Sequence, residues 1–98
     1  MIYHLVWFKL RDDVSSTDKE FLKEQMEGMI ATIPEVVELT CGEDFSGRSR
    51  GFGWGLFVKF KTREDGQIYD KHPAHRAFIE RCKPLWTEVQ ALDFETSS

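Results

Sequence analysis

The chain has 98 residues, 41% of them hydrophobic and 31% charged, with a net charge of −4. These are globular proportions for one modest domain. The acidic balance argues against non-specific binding to nucleic acid or to an anionic membrane, and no apolar run approaches the roughly 20 residues of a membrane span.

Met1-Ile2-Tyr3-His4 enters a strand-like pattern at once, with no basic n-region or cleavage-site pattern. Cys41 and Cys82 are far apart and sit in no metal motif. The expectation is a cytoplasmic protein with free, buried thiols.

Ile2 to Leu10 is rich in β-branched and aromatic residues and reads as a strand. Alternation places His4, Val6, Phe8 and Leu10 on one face, and Tyr3, Leu5, Trp7 and Lys9 on the other. Thr17 and Glu20 fit a capping box, Thr as N-cap and Glu at N3. The helix behind them carries Leu22, Met26, Met29, Ile30 and Ile33 on one stripe, and Pro34 stops it. Val36 to Cys41 predicts a second strand, residues 42–53 a glycine-punctuated loop, and Phe52 to Lys61 a third strand. In that third strand Phe52, Trp54, Leu56, Val58 and Phe60 share a face. Thr62, Glu64 and Asp65 open the next helical stretch. Thr87 to Phe94 is a last strand, with 95–98 as a frayed tail.

The segment Tyr69-Asp70-Lys71-His72-Pro73-Ala74-His75 holds two of the three histidines. In one unbroken helix Tyr69 and His75 would be rotated about 240° apart. Proline disfavours helix at the residue before it and suits the opening of a new one. The reading is therefore a short helix ending near Lys71, a corner at His72-Pro73, and a second helix from Ala74 to about Cys82. That corner can aim Tyr69 and His75 at one space. An imidazole that titrates near neutrality and a phenol that can donate to an oxyanion form a candidate acid–base pair. The plainer alternative packs the Tyr69 ring, exposes His72 and bonds His75 to a backbone carbonyl.

The element order is β-α-β-β-α-β, which predicts an α+β ferredoxin-like sandwich of one domain, residues 1–98. Two helices cover one sheet face, yet Tyr3, Leu5, Trp7 and Phe57 are apolar on the other. A second chain packed face to face in a twofold dimer would cover them, giving a barrel with helices outside. Arg50 to Phe57 nearly spells the third-strand motif of RNA-recognition domains. Its aromatic row continues as Leu56, Val58 and Phe60, however, and that is a core pattern; the expectation is no nucleic acid and no membrane.

His4, Ile33-Pro34, Gly42-Glu43-Asp44, Gly51-Phe52, Tyr69-x-x-His72-Pro73-x-His75-x-x-Phe78, Trp86 and Leu92-Asp93-Phe94 together resemble the Dabb family, the stress-responsive dimeric α/β-barrel domains. The likeness runs from Ile2 to about Glu95 and implies the fold and dimer argued above. One plant member is a cofactor-free polyketide cyclase that works by aldol condensation. The resemblance to it implies catalytic roles for His75 and Tyr69 and a supporting one for His4. It also implies an apolar pocket of Val6, Phe8, Leu22, Met26, Leu56, Val58, Phe78 and Trp86, with Trp54 and Met26 standing where the cyclase has a histidine and a tyrosine. No cofactor and no metal are expected: His4, His72 and His75 lack a Cys or carboxylate completing a recognisable site. Two classes stay open, a cyclase- or lyase-like enzyme acting on a small hydrophobic polyketide-type compound, and a non-catalytic dimer that binds a small hydrophobic ligand.

Overall fold

The computed structural model describes residues 1–97. Strand β1 spans Ile2–Leu10, helix α1 Ser16–Thr32, β2 Glu38–Glu43, β3 Trp54–Phe60, α2 Arg63–Lys71, α3 Pro73–Cys82 and β4 Trp86–Glu95, with one 3₁₀ turn at Lys83–Leu85. The four strands form one antiparallel sheet in the order β2-β3-β1-β4, with the two inner strands β3 and β1 adjacent. This is the ferredoxin-like α+β fold that the element order predicts.

Alternation along β1 and β3 builds the core. Ile2, Val6 and Phe8 from β1 and Trp54, Leu56, Val58 and Phe60 from β3 are buried on one face of the sheet. Leu22, Met26 and Met29 of α1 and Ile33, its C-cap, close over them, with Phe78 and Cys82 of α3. Each fully buried large apolar side chain contributes about 1.5–3 kcal/mol relative to exposure. Ile30 departs from the expected stripe and is 44% exposed. Cys41 is half-buried rather than buried, and both cysteines are free.

Several boundaries differ from the expectation, each for a local reason. The cap of α1 is Ser15, whose hydroxyl accepts from the Asp18 N–H at 3.1 Å while the Asp18 carboxylate accepts from the Ser15 N–H at 3.1 Å. That reciprocal box starts the helix before Thr17, which falls inside the first turn. After Pro34 the chain turns once more, Val36 N–H donating to the Ile33 carbonyl, so β2 begins at Glu38. Before β3, Phe52 and Gly53 donate to Ser49 and Gly51 within a tight turn, and the strand begins only at Trp54. Gly51 sits there at φ 90°, and a Cβ would come within 3.2 Å of the Lys9 side chain. The tail is paired rather than frayed through Thr96: its N–H donates to the Met1 carbonyl at 2.9 Å, and Glu95 belongs to β4. Ser98 lies outside the described residues.

The cap assignment has a direct test. Ser15→Ala should cost about 1 kcal/mol, lowering the thermal midpoint by about 4–8 °C, whereas Thr17→Ala should leave it in place. Equal losses for the two variants in a thermal melt would return the cap to Thr17.

Candidate active site

Helix α2 begins at the Thr62 cap, whose hydroxyl accepts from the Asp65 N–H at 3.1 Å. It ends where Pro73 removes the next donor. His72 takes an extended conformation, φ −62° and ψ 138°, and its Nδ1 accepts from the Ala74 N–H at 3.0 Å, so it caps α3. The change of axis brings Tyr69, at the end of α2, against His75, in the first turn of α3. Their ring centroids are 4.5 Å apart. His4 on β1 meets the same phenol ring edge-on at 5.9 Å, and Phe60 packs on it at 5.1 Å.

The chemistry of the partners fixes the protons. His75 Nδ1 lies 3.0 Å from the Asp70 carbonyl, which can only accept. The proton of the neutral ring therefore sits on Nδ1, and Nε2 carries a lone pair. His4 Nδ1 donates to the Asp93 carboxylate directly across the β1–β4 ladder. The Tyr69 hydroxyl is buried and has no hydrogen-bond partner. Burial pushes the Tyr69 phenol well above its ordinary pKa of 10, with the Asp70 charge adding to the rise. Burial likewise lowers His75 below 6.5, against smaller opposing effects from Asp70. Both groups are thus neutral at pH 7.

A cleft of about 340 Å³ opens between α2 and the β1–β4 edge of the sheet, walled by Ile2, His4, Phe60, Arg63, Gly66, Gln67, Tyr69, Asp70, Lys71 and Asp93. His4 and Tyr69 belong to this wall; His75 does not line it and reaches it only through the Tyr69 ring, so the packed phenol and the His75 bond to a backbone carbonyl follow the plainer alternative. The apolar pocket expected deeper in the fold takes a different form. Val6, Phe8, Leu22, Met26, Trp54, Leu56, Val58 and Phe78 pack as solid core, each at most 8% exposed. Trp54 donates its indole N–H toward Met26 Sδ at 3.2 Å, so these two side chains fill the space between sheet and helices. Trp86 is half-buried on the Phe8 and Phe78 rings. Trp54, being buried, presents no surface for stacking a base, and Phe52 lies under the Lys9 ammonium, 5.1 Å from its ring centroid.

Sequence reasoning missed Asp93, Asp70 and the α2 side of the cleft. The Asp93 pairing with His4 depends on cross-strand register, which one strand read alone does not carry. The α2 residues were open to detection, since Arg63, Gln67 and Lys71 recur at the i, i+4 spacing of one helical edge. Among the described residues no three His, Cys, Asp or Glu side chains converge as a metal-ligand set, and no helix is long and apolar enough to cross a membrane.

A family model described as Stress responsive A/B Barrel Domain matches residues 2–96. The chain belongs to that family, Dabb. It is 24% identical to olivetolic acid cyclase of Cannabis sativa over 95 residues, covering 95% of this chain and 94% of the cyclase. Among solved structures it is similar to a dimeric ferredoxin-like protein of unknown function from Thermobifida fusca, with TM-score 0.85, 22% identity and coverage of 97% and 90% of the two chains. It is also similar to the hydroxynitrile lyase of Passiflora edulis, with TM-score 0.87, 17% identity and coverage of 99% and 94%. The similarity to these two structures establishes the shared fold.

The unpaired phenol gives this Dabb chain a measurable signature. A buried hydroxyl without a partner costs about 1–3 kcal/mol, so Tyr69→Phe should raise the thermal midpoint of the ligand-free protein by about 4–8 °C for each kcal/mol recovered. A lowered midpoint would mean that the hydroxyl is satisfied in solution.

Proposed function

We propose that this Dabb protein works as a twofold dimer and is a cofactor-free acid–base enzyme, cyclase- or lyase-like, acting on a small hydrophobic carbonyl compound of polyketide type. The observation that carries the reading is the pairing of two incomplete groups: a buried Tyr69 hydroxyl with no acceptor, beside a His75 whose Nε2 is left bare by the Asp70 carbonyl. A donor and a base that do not satisfy each other are arranged for a third molecule. The cyclase among its relatives supports the reaction class, because ring closure by aldol addition needs such a pair.

In the forward direction His75 Nε2 takes the acidic proton beside a carbonyl, and Tyr69 donates to the oxygen on which the enolate charge develops. The enolate carbon attacks a second carbonyl of the same molecule. The His75 imidazolium then returns its proton to the new alkoxide, which restores both groups. His4, its Nδ1–H held by Asp93, lines the cleft and would orient a substrate hydroxyl there. General-base help is worth about 10²–10⁴ in rate.

The cleft is at the small end of ligand sites, which run about 300–1,000 Å³. Trp54 and Met26 close the deeper space, so the substrate enters at the α2–β4 side and is compact. The dimer reading rests on the sheet face away from the helices, where Tyr3, Leu5 and Phe57 join the exposed Trp7, Leu92 and Phe94. The similar Thermobifida fusca protein is itself dimeric. A monomer by light scattering at micromolar concentration would overturn it.

The second reading, a non-catalytic dimer that binds a small hydrophobic ligand, is favoured by the closed core. One experiment separates the two. Linear polyketide-like β-keto acids and thioesters are incubated with wild type, His75→Ala and Tyr69→Phe, with products followed by mass spectrometry and binding by tryptophan fluorescence. The acid–base reading expects turnover that falls by about 10²–10⁴ in His75→Ala while binding persists. Binding without product in every protein would establish the ligand-binding module, and unchanged turnover in His75→Ala would remove it as the base.

The pH dependence follows from the lowered His75 pKa. Turnover should hold on the alkaline side of 6.5 and decline only at a pH below that ordinary imidazole value. Stability has the same sign. As pH falls through about 6.5 the unfolded chain takes up a proton that folded His75 refuses, so stability drops until the lower folded pKa is passed. His75→Gln should flatten this acid limb in denaturant melts between pH 7 and 5.

A further inference from the structure

Two paired glycines, one near the end of the edge strand β2 and one near the start of the inner strand β3, are not required by backbone conformation or by space within the chain. Gly42 of β2 and Gly55 of β3 are cross-strand partners. Neither has a positive φ, and a Cβ built on either would meet nothing within 4 Å. Glycine inside a strand costs about 0.5–1 kcal/mol relative to alanine. Where it is placed there without a bulge or bend, it marks close approach by something outside the strand. Both point away from the helices, as Trp7 does, and Trp7 is the partner of Gly55 on the β1 side. Together they leave a hollow of about 350 Å³ beside Leu5, Trp7 and Phe57.

The register supplies the shape of the whole face. One row across the sheet reads Gly42, Gly55, Trp7, Gln90, and the next reads Thr40, Phe57, Leu5, Leu92. The face is hollow over β2–β3 and raised at Trp7, which is 36% exposed. In a twofold dimer the same patch meets itself, so a knob on one side of the axis needs a hole on the other. An axis running along the strands between β3 and β1 exchanges those two strands and sets each Trp7 over the other chain's Gly55. The same operation sets Leu5 over Phe57, apolar on apolar.

We propose that the Gly42–Gly55 hollow is the socket that receives the partner's Trp7 in the dimer of this protein. The inference rests on the dimer reading above and goes beyond it by naming the interlocking residues. A second copy is the occupant because the hollow is continuous with the open apolar face, and because the knob of matching size stands on that face in every chain.

The test is sedimentation equilibrium of wild type, Gly55→Val, Trp7→Ala and the double variant, with Gly28→Ala on the helix layer as control. A Cβ at Gly55 meets nothing within 4 Å in the single chain, so the thermal midpoint of Gly55→Val at dilutions where the chain is monomeric should equal or exceed that of wild type. In the dimer its side chain would collide with the indole, and the dissociation constant should rise at least tenfold. Trp7→Ala should weaken the dimer by a similar factor. The double variant should be no weaker than Trp7→Ala alone, because the clash disappears with the indole. Gly28→Ala should leave association unchanged. Wild-type dissociation for Gly55→Val, or losses that multiply in the double variant, would overturn the socket while leaving the dimer standing. A monomeric wild type would overturn the dimer itself. Should Gly55→Val lose its fold by circular dichroism, Trp7→Ala alone decides, and a dimer of undiminished affinity refutes the proposal.

Discussion

Pro73 cannot donate to the hydrogen-bond ladder of the preceding helix, and the candidate site depends on that one missing N–H. With a donor there, α2 would run on and carry Tyr69 and His75 to different sides of one rod. With proline, the ladder stops at Lys71, His72 caps a new helix with its own ring, and the two side chains meet at 4.5 Å. The corner also frees the Asp70 carbonyl at the helix end, and His75 Nδ1 takes it. One residue type thereby sets the position of the imidazole, its tautomer and the direction of its lone pair.

The sheet imposes the second constraint. Three helical segments cover one face, and α1 with α3 close that side so tightly that Leu22, Met26 and Cys82 are fully buried. Among the described residues no helix covers the other face. Tyr3 stacks on Phe94 at 5.2 Å and meets Phe57 at 5.6 Å, with the Lys59 ammonium over its ring, so the aromatic cluster is already ordered within one chain. A preordered apolar surface loses little side-chain entropy when a partner arrives. The site and the open face thus lie on opposite sides of β1, with His4 inward and Tyr3 and Leu5 outward. Association of the open faces would hold β1 and β4 in place, and with them the His4–Asp93 pair.

The fold was legible because its periods are clean. Alternation in β1 and β3, the proline-stopped helix and the His72-Pro73 corner each appear in the residues themselves, and the structure places all of them. Boundaries were less legible where two signals compete within two residues. Ser15 with Asp18 and Thr17 with Glu20 both spell a capping box, and the earlier one forms. The contents of the core were the least legible. Periodicity states that Trp54 and Met26 face inward; it does not state that an indole and a thioether together fill the space in which a smaller pair would leave a cavity. The partner of His4 was hidden for another reason, since Asp93 is 89 residues away and reaches it only through the register of β4 on β1.

The electrostatics of the cluster explain why it is built from neutral groups. Burial raises the phenol and lowers the imidazole, so the same desolvation keeps a proton on Tyr69 and off His75. A carboxylate in that position would have its own pKa raised by the same burial and would tend to hold a proton at rest. A tyrosine and a histidine avoid that conflict, because the same burial leaves both neutral. In the proposed reaction the developing charge would be spread over an imidazolium beside the Asp70 carbonyl and an oxygen beside the Tyr69 hydroxyl. In that reaction the unpaired Tyr69 hydroxyl, a cost to the resting protein, would find its acceptor only once a substrate oxygen began to gain charge.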